Sequence, residues 1–419
     1  MHHKHVVVIG QGYVGLPLAV RAAEVGHLVT GLDVDQRRAA ALADGVSFVE
    51  DISSRRLSGA LASGRYEVAS SYEALSGWDV AVITVPTPLH ESRPDLRFVE
   101  DASRSVAASL RPGCLVVLES TTYPGTTEEL VVPILEEVSG LRAGADFLVG
   151  YSPERIDPGN VRWDFVNTPK VVSGLDRRST TAVQEFYATL VDTVVPVSGT
   201  REAELTKLLE NTFRHVNIAL VNELAVFADE LGVDVWEAIR AASTKPFGFM
   251  PFTPGPGVGG HCLPVDPSYL SWQVRRKLGR TFRFIELAND VNAHMPDHVV
   301  TKVSSMLNDA GRSVRGSRIA LVGLAYKKNS GDIREAPAVR VAQLFQAIGA
   351  EVVGIDPHVE DHRWPEGIVR RPAVPTSLDD CHIAVLLTDH DDVDLGLLAD
   401  VPTFDTRKVL PAGAYVRSL

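Results

Sequence analysis

Three glycines near the start of the chain constrain its fold more than any other feature. Gly10, Gly12 and Gly15 follow a short β-branched run at 5–9 and open a stretch with helical periodicity at 15–25. Where a strand turns into a helix through this spacing, the first glycine allows the tight turn and the third allows close helix–strand packing. The middle glycine lets phosphates approach the helix N-terminus, which attracts anions. The motif in this context predicts a dinucleotide-binding α/β domain.

The choice of dinucleotide depends on a carboxylate. Asp33 ends the next predicted strand, 27–33, and lies 18 residues after Gly15. A carboxylate there accepts hydrogen bonds from the adenosine ribose and repels a 2′-phosphate. NAD is therefore predicted over NADP, although Arg37 and Arg38 nearby weaken the preference. The alternative interpretation is a glycine-rich turn without a ligand.

Strand and helix patterns alternate through the first 200 residues and return after residue 311. Such alternation predicts parallel sheets covered by helices on both faces. We expect an α/β fold with two Rossmann-like doubly wound domains, 1–200 and 311–419, joined by a central helical domain, 201–310. The predicted strands are 5–9, 27–33, Val80–Val85, Leu115–Leu118, Phe147–Val149, 318–323, 351–355 and 383–387.

One long helix is predicted over 201–231, which contains neither Gly nor Pro. Thr200 is the expected N-cap and Gly232 the expected stop. A helix of that length spans about 46 Å, which indicates a bridge between domains or a homodimer interface. A second helix is predicted over 281–310. Polar residues fall near one stripe of the long helix; they are Glu204, Lys207, Asn211, Arg214 and His215.

Composition excludes several classes of partner. The formal net charge is −12, and this average field repels nucleic acid. Three cysteines suit a reducing cytoplasm rather than a secreted disulfide scaffold. No apolar run reaches the ~20 residues that span a bilayer, so no membrane partner is expected. The N-terminal histidines are interpreted as a solvated terminus, and no metal site is predicted.

The three cysteines differ in their surroundings. Cys114 and Cys381 adjoin apolar runs, which is typical of packed thiols. Cys262 instead follows Gly257, Gly259 and Gly260 in a Gly/Pro-rich segment, 249–267, with Asp266 four residues later. This context favours a ligand-facing loop, and an accessible thiolate is a nucleophile. From the residues alone, a catalytic and a packed Cys262 remain equally open.

Seven segments, in order along nearly the whole chain, resemble the UDP-glucose/GDP-mannose dehydrogenase family. They are GQGYVGLPLA (10–19), VPTP (85–88), ESTTYPGTT (119–127), YSPERIDPGN (151–160), ELTKLLENTFRHVN (204–217), GPGVGGHCLPVDP (255–267) and GLAYKKNSGDIRE (323–335). The resemblance implies a nucleotide-sugar substrate, NAD as cofactor and a four-electron oxidation of a sugar CH2OH to a carboxylate. It also assigns the three domains, in order, to NAD binding, to dimerisation and catalysis, and to nucleotide-sugar binding.

The resemblance also implies roles for single residues. Cys262 attacks the intermediate aldehyde, Asp266 assists proton transfer, and Lys207 and Asn211 hold the C6 oxygen. Thr121 and Glu154 hold the reacting water and the substrate. The implied cofactor-binding residues are Gly10, Gly12, Tyr13, Val14, Gly15, Asp33, Arg38, Pro86, Thr87, Thr121 and Arg334. The implied substrate-binding residues are Glu154, Arg155, Ile156, Lys207, Asn211, Arg214, Gly257, Gly259 and Lys327. For Lys327 and Arg334, an ordinary ion pair is the alternative.

Departures from the UDP-glucose branch indicate the substrate. That branch has Lys where this chain has Val265, and a second Glu where this chain has Pro158. Both departures, together with the segment 245–249, resemble the UDP-N-acetylhexosamine 6-dehydrogenase branch and favour UDP-N-acetylglucosamine. UDP-glucose or dTDP-glucose is the alternative substrate. A two-electron hydroxy-acid dehydrogenase and a non-catalytic nucleotide-sugar-binding protein are alternatives from other classes.

Overall fold

A computed structural model describes residues 3–49, 51–90, 93–157, 160, 162–260, 262–413 and 415–419. Pro158 and the side chain of Cys262 lie outside this description. The chain divides into two compact units, residues 1–210 and 211–419. Within the described residues, every helix is too short or too polar to cross a membrane.

The first unit is built on an eight-stranded sheet and a two-stranded hairpin, β5–β6. In space the sheet order is β10-β9-β8-β7-β4-β1-β2-β3, and paired strands are parallel except β8 with β9. The strands are β1 His5–Ile9, β2 Leu28–Leu32, β3 Tyr66–Ala69, β4 Val80–Ile83, β5 Leu89–His90, β6 Arg93–Pro94, β7 Leu115–Leu118, β8 Leu148–Tyr151, β9 Lys170–Gly174 and β10 Val194–Pro196.

The helices of the first unit connect successive strands, as parallel pairing requires. Polar N-caps begin several of them; Asp35 accepts the amide hydrogen of Arg37, and Asp176 that of Ser179. A π-helical turn, Thr127–Val131, leads into the fifth helix. The helices are α1 Gly15–Glu24, α2 Gln36–Ala43, α3 Ser54–Ala62, α4 Arg97–Ala107, α5 Val132–Ser139 and α6 Arg177–Tyr187.

The second unit contains a six-stranded parallel sheet in the order β13-β12-β11-β14-β15-β16. Its strands are β11 Arg318–Val322, β12 Glu351–Ile355, β13 Val369–Arg370, β14 Ile383–Leu386, β15 Thr403–Asp405 and β16 Val416–Ser418. Its helices are α7 Thr200–Glu230, which begins in the first unit, α8 Val235–Ser243, α9 Cys262–Leu278, α10 Arg283–Asp309 and α11 Pro337–Ala347.

Alternate residues of β11 bury opposite faces of this sheet. Ile319 and Leu321 pack in a cluster with Phe345 of α11. Ala320 and Val322 pack in a second cluster with Leu397. Because side chains alternate along a strand, a strand that is apolar throughout requires cover on both faces. The predicted α/β class is confirmed, with parallel sheets in the N-terminal and C-terminal parts of the sequence and a helical region between them along the chain.

Two local predictions were wrong. Thr200 is the first helical residue rather than the N-cap, and its hydroxyl donates to Glu128. The segment 249–267 is not a loop throughout, because Cys262 begins α9. The first four amides of a helix need no partner within it, so Pro264 costs no helical hydrogen bond. Pro267, farther inside, costs one.

Candidate cofactor and active sites

The glycine turn after β1 has the geometry that the motif predicts. Gly10 has φ +91°, and a Cβ there would lie 2.8 Å from the Thr84 carbonyl oxygen. A Cβ on Gly15 would lie 1.8 Å from the Gly10 oxygen, whereas one on Gly12 would meet nothing within 4 Å. The fold itself therefore requires Gly10 and Gly15. The space beside Gly12 is open, which fits a pyrophosphate at this turn.

Asp33 and Gln11 hold the turn in place. The Asp33 carboxylate accepts the amides of Gln11 at 3.1 Å and Asp35 at 2.9 Å. The Gln11 side chain is buried, donates to the Val8 carbonyl and accepts the Tyr66 hydroxyl. Asp33 thus sits at the carboxyl end of β2, as predicted. Gln11 was missed because one of its partners, Tyr66, lies on β3, 55 residues away in sequence.

The N-terminus of α1 offers amide donors to an anion. Val14 precedes this helix and has no side-chain oxygen with which to cap it, so the first-turn amides face the turn without a polar cap. Tyr13 beside it is half-buried. Arg38 is exposed on α2, with its guanidinium 5.4 Å from the centre of the Phe48 ring. These placements fit a dinucleotide along the carboxyl edge of the sheet.

The next loop along that edge follows β4. Pro86 is exposed and Thr87 is buried. Thr84, just before them, donates through its hydroxyl to the carbonyls of Ile9 and Gly10 at 2.8 Å. Sequence reasoning missed Thr84, although a threonine directly after four apolar strand residues was the available signal.

Glu154 belongs to a buried cluster of charges. One carboxylate oxygen accepts the amides of Arg155 and Ile156 at 2.5 Å, and the other accepts the Lys170 ammonium at 3.2 Å. Lys170 also pairs with Glu119 at 2.7 Å. All three charged side chains are at least nine-tenths buried. Lys170 was missed, and its signal was a charged residue heading the apolar strand β9.

Burial and charge shift the pKa values of this cluster. Burial raises the pKa of Glu119, and the Lys170 ammonium only partly offsets that effect. Burial lowers the pKa of Lys170, but Glu119 and Glu154 outweigh it and the net shift is upward. The Glu119 Oε2 atom has no hydrogen-bond partner among the described residues. The net shift of the Lys170 pKa is upward, so its ammonium stays charged at neutral pH.

The guanidinium of Arg155 is engaged within the first unit. It pairs with Glu210 at 2.6 Å and donates to the Pro169 carbonyl at 2.6 Å. Ile156 next to it is half-buried. The structure thus gives Arg155 a structural ion pair in addition to its predicted contact with substrate.

The Thr121 loop, 119–127, is anchored by Glu204 of α7. The Glu204 carboxylate accepts the amides of Gly125 at 2.6 Å and Thr127 at 2.8 Å, and the Thr127 hydroxyl at 2.7 Å. Burial raises the pKa of Glu204 to about 7, although the hydrogen bonds from these donors lower it in part. Thr121 itself is half-buried. Lys207, one helical turn after Glu204, is buried.

In the second unit, Asn211 and Asp266 meet. The Asn211 amide nitrogen donates to the Asp266 carboxylate at 2.5 Å across 55 positions of sequence. Asp266 is buried and lies one turn into α9, the helix that the backbone of Cys262 begins. The structure therefore brings together two residues that were predicted to be catalytic.

The glycine segment before α9 packs against the loop after β11. A Cβ on Gly259 would lie 2.6 Å from the Tyr326 side chain, and the Gly260 amide donates to the Arg334 carbonyl at 2.9 Å. Gly257 has φ +128°, a conformation open to glycine. Lys327 is half-buried, and the exposed Arg334 forms an ion pair with Asp332. Arg214 is exposed on α7.

The other two cysteines are packed thiols. Cys114 is buried and donates to the Trp78 carbonyl, and burial raises its pKa. Cys381 is half-buried, and burial raises its pKa to about 11. Neither thiol is activated as a nucleophile at neutral pH. The third cysteine of the chain, Cys262, begins α9, and its side chain lies outside the described residues.

Comparison with known proteins covers the chain almost end to end. Three models of the UDP-glucose/GDP-mannose dehydrogenase family match: the NAD binding domain at 4–191, the central domain at 201–294 and the UDP binding domain at 320–412. UDP-N-acetyl-D-mannosamine dehydrogenase of Pyrococcus horikoshii is 38% identical over 355 residues, 84% of each chain. UDP-N-acetyl-D-glucosamine 6-dehydrogenase of Pseudomonas aeruginosa is 37% identical and covers 87% of this chain and 85% of its own.

The fold agrees with a solved relative. The structure of UDP-D-ManNAc dehydrogenase from Pyrococcus horikoshii superposes with a TM-score of 0.90 at 34% identity, over 99% of this chain and 98% of the other. Matches to all three domain models and relatives above 30% identity over most of the chain show its family. The chain belongs to the UDP-glucose/GDP-mannose dehydrogenase family and is an NAD-dependent nucleotide-sugar dehydrogenase.

Proposed function

We propose that this enzyme oxidises the C6 CH2OH of a UDP-N-acetylhexosamine to the carboxylate through a covalent intermediate on Cys262. The observation that carries the proposal is the hydrogen bond from Asn211 to Asp266, one turn along the helix that Cys262 begins. An amide that donates to a buried carboxylate fixes the orientation of both groups. A helix N-terminus also favours the thiolate form of a cysteine placed there.

The chemistry follows from these placements. When bound, NAD supplies the hydride acceptor, and two NAD molecules are used per sugar. The Cys262 thiolate forms a C–S bond with the C6 aldehyde, and Lys207 and Asn211 stabilise the charge on the C6 oxygen. Loss of a second hydride from the thiohemiacetal leaves a thioester. Water positioned by Thr121 and Glu154 forms a C–O bond with the thioester carbon and gives a proton to Asp266; the C–S bond then breaks, and Cys262 leaves as the thiolate that began the cycle.

The sugar is proposed to be UDP-N-acetyl-D-glucosamine, because Val265 and the segment 245–249 resemble that branch. A second candidate is UDP-N-acetyl-D-mannosamine, which differs only in configuration at C2. It is supported by the relative at 38% identity, which bears that name. UDP-glucose and dTDP-glucose remain the alternatives without an N-acetyl group.

We also propose a homodimer that forms through α7. An apolar stripe on this helix is exposed to solvent and continues into the turn that follows it. It consists of Phe213, Leu220, Leu224 and Phe227 of α7 and of Leu231 just after the helix, which are 48%, 54%, 47%, 53% and 77% exposed. Their spacing of three, four and seven residues places them on one helical face. A continuous exposed apolar face marks an interaction surface.

We also propose that the chain has three domains and is cytoplasmic. The three-domain division, 1–200, 201–310 and 311–419, is supported by the separate family matches at 4–191, 201–294 and 320–412. A cytoplasmic location is supported by the free thiols of Cys114 and Cys381, since free cysteines are typical of reducing compartments.

The decisive experiment counts NADH per sugar consumed. Purified enzyme is mixed with NAD and, separately, with UDP-N-acetylglucosamine, UDP-N-acetylmannosamine, UDP-glucose and dTDP-glucose. We expect about two NADH per N-acetylhexosamine consumed in the wild type. Cys262→Ala should lose the two-NADH oxidation, because it cannot form the thioester, and the control Cys381→Ala should give the wild-type NADH count. One NADH per sugar, unchanged in Cys262→Ala, would contradict the covalent mechanism and indicate a two-electron dehydrogenase.

A further inference from the structure

A hydrogen-bonded network of polar side chains links α7 and α10 to the glycine segment, residues 255–260, that precedes Cys262. Three of its members, His215 and Asn222 of α7 and Asn292 of α10, are each at most 3% exposed. The fourth, Asn289, is half-buried and lies one turn before Asn292. Buried amides and imidazoles are costly unless they are hydrogen-bonded, so three of them together between α7 and α10 call for a physical explanation.

Each hydrogen bond in the network has a consistent donor and acceptor. His215 Nε2 pairs with Asn289 Oδ1 at 2.8 Å, and Asn292 Nδ2 approaches His215 Nδ1 at 3.4 Å. Asn222 Nδ2 donates to Asn292 Oδ1 at 2.8 Å. This order requires the neutral imidazole with its hydrogen on Nε2. Burial lowers the pKa of His215, which agrees with a neutral ring.

The last hydrogen bond of the network is to the backbone of the glycine segment. The Gly255 amide donates to Asn222 Oδ1 at 2.9 Å and is buried. At the other end of the segment, the Gly260 amide donates to the Arg334 carbonyl at 2.9 Å. A glycine-rich backbone can adopt more conformations than other segments, and these two hydrogen bonds restrict the backbone at both ends of the glycine segment. Cys262 follows two residues after the second bond.

We propose that Asn222 is a positioning residue for Cys262. Its hydrogen bond to Asn292, which is linked to His215 and Asn289, fixes Asn222 against α10. Asn222 in turn holds Gly255, so that the glycine segment leads to Cys262 in one backbone conformation. The effect on turnover rests on the proposed covalent mechanism. The effect on the segment does not, because it depends on hydrogen bonds alone. A displacement of about 1 Å in a reacting group is enough to lower a rate by roughly a hundredfold.

The first test measures hydrogen exchange in the wild-type protein. We expect the amides of residues 252–260 to exchange at least about a hundredfold more slowly than those of an unstructured peptide of the same sequence. Exchange at the unstructured rate would overturn the proposal. This measurement needs no variant, so a failure of a variant to fold leaves the proposal testable.

The second test compares Asn222→Ala with Asn222→Asp and with the control Asn217→Ala. Asn217 lies on the same helix, and its side chain donates to the Phe213 carbonyl of that helix. We expect Asn222→Ala to speed exchange in 252–260, to change the rate at which iodoacetamide alkylates Cys262, and to lower kcat by about tenfold or more with the KM for NAD unchanged. Asn222→Asp keeps the acceptor for Gly255 and should retain more activity than Asn222→Ala.

The outcomes separate this proposal from the proposed function. A folded Asn222→Ala enzyme with wild-type kcat and wild-type exchange in 252–260 would overturn the positioning role. If Cys262→Ala still yields two NADH per sugar, the covalent mechanism fails, while the exchange of 252–260 continues to report on the segment alone. A merely stabilising role for Asn222 predicts a lower Tm without a change in the alkylation of Cys262 relative to Cys381.

Discussion

At the scale of single residues, two glycines of the same motif have separable roles. Gly12 has open space where a Cβ would lie, and Gly15 does not. We expect Gly12→Ala to fold with wild-type Tm and to lose about tenfold or more in NAD affinity, because the methyl group occupies the approach of the pyrophosphate. Fluorescence titration with NADH, together with thermal unfolding, measures both effects.

Gly15→Ala is the matched comparison. Its methyl group would lie 1.8 Å from the Gly10 oxygen, so the helix must shift away from β1. We expect a loss of stability on the order of 1–3 kcal/mol, as for overpacked cores, with weaker NAD binding as a consequence. Equal NAD affinity and equal Tm in the two variants would contradict the separation of roles.

Lys170 carries a second prediction at this scale. Lys170→Met leaves Glu119 and Glu154 buried without their cation, and we expect a loss of about 3–5 kcal/mol in the free energy of unfolding. Urea titration measures it. The control is Arg104→Met, which removes an exposed ion pair with Glu137; such pairs contribute about 0–1 kcal/mol. Adding Glu119→Gln should restore part of the stability of Lys170→Met.

Sequence reasoning identified residues whose role follows from local spacing and missed those whose partners are distant. Gly10, Gly15 and Asp33 act within one strand–turn–helix–strand unit, so their spacing alone predicts their positions. Gln11, Thr84 and Lys170 act through partners on other strands. Strand order decides which side chains meet, and no local pattern contains it.

At the scale of elements, we expect the contact between α7 and the Thr121 loop to depend on pH. Burial raises the pKa of Glu204 from 4.5 to about 7. A carboxyl group whose folded-state pKa is raised stabilises the fold at pH values below its unfolded pKa, and this contribution is lost as pH rises through the folded pKa. We therefore expect the wild type to lose stability relative to Glu204→Gln between about pH 4.5 and 7.

The size of this effect follows from the shift. A difference between 4.5 and about 7 corresponds to roughly 3 kcal/mol. Urea unfolding of wild type and Glu204→Gln at pH 5 and pH 8 gives the difference. Glu202→Gln, an exposed neighbour on α7, is the control. A constant difference between wild type and Glu204→Gln at both pH values would exclude the assignment.

Element boundaries were predictable to different degrees. The spans of β1, β7 and β12 follow from apolar runs bounded by turn residues, and α7 follows from a long stretch without Gly or Pro. The start of α9 was not predictable from composition. Pro264 lies among the helix positions whose amides need no helical partner, so a helix begins where proline and glycine content suggested a loop.

At the scale of the whole molecule, the exposed face of α7 predicts the oligomeric state. Replacing Leu224 and Phe227 together by Glu places two charges in the apolar stripe, and burial of unpaired charges opposes association. We expect sedimentation to give a monomer for the double variant and a dimer for the wild type. The control is Val369→Glu on β13, where the apolar side chain is 61% exposed outside the stripe. A dimeric double variant would place the interface elsewhere.

The edges of the two large sheets bear on how the protein behaves when it is concentrated. The sheets end on β3 and β10 and on β13 and β16, which have four, three, two and three residues. Short edge strands offer few unpaired amides to a neighbouring chain, and Pro196 removes one more from β10. Long, exposed edge strands are a route to edge-to-edge aggregation when a protein is concentrated. Among the described strands, both large sheets therefore offer little edge for such pairing, and the apolar face of α7 is the surface through which we expect copies to recognise one another.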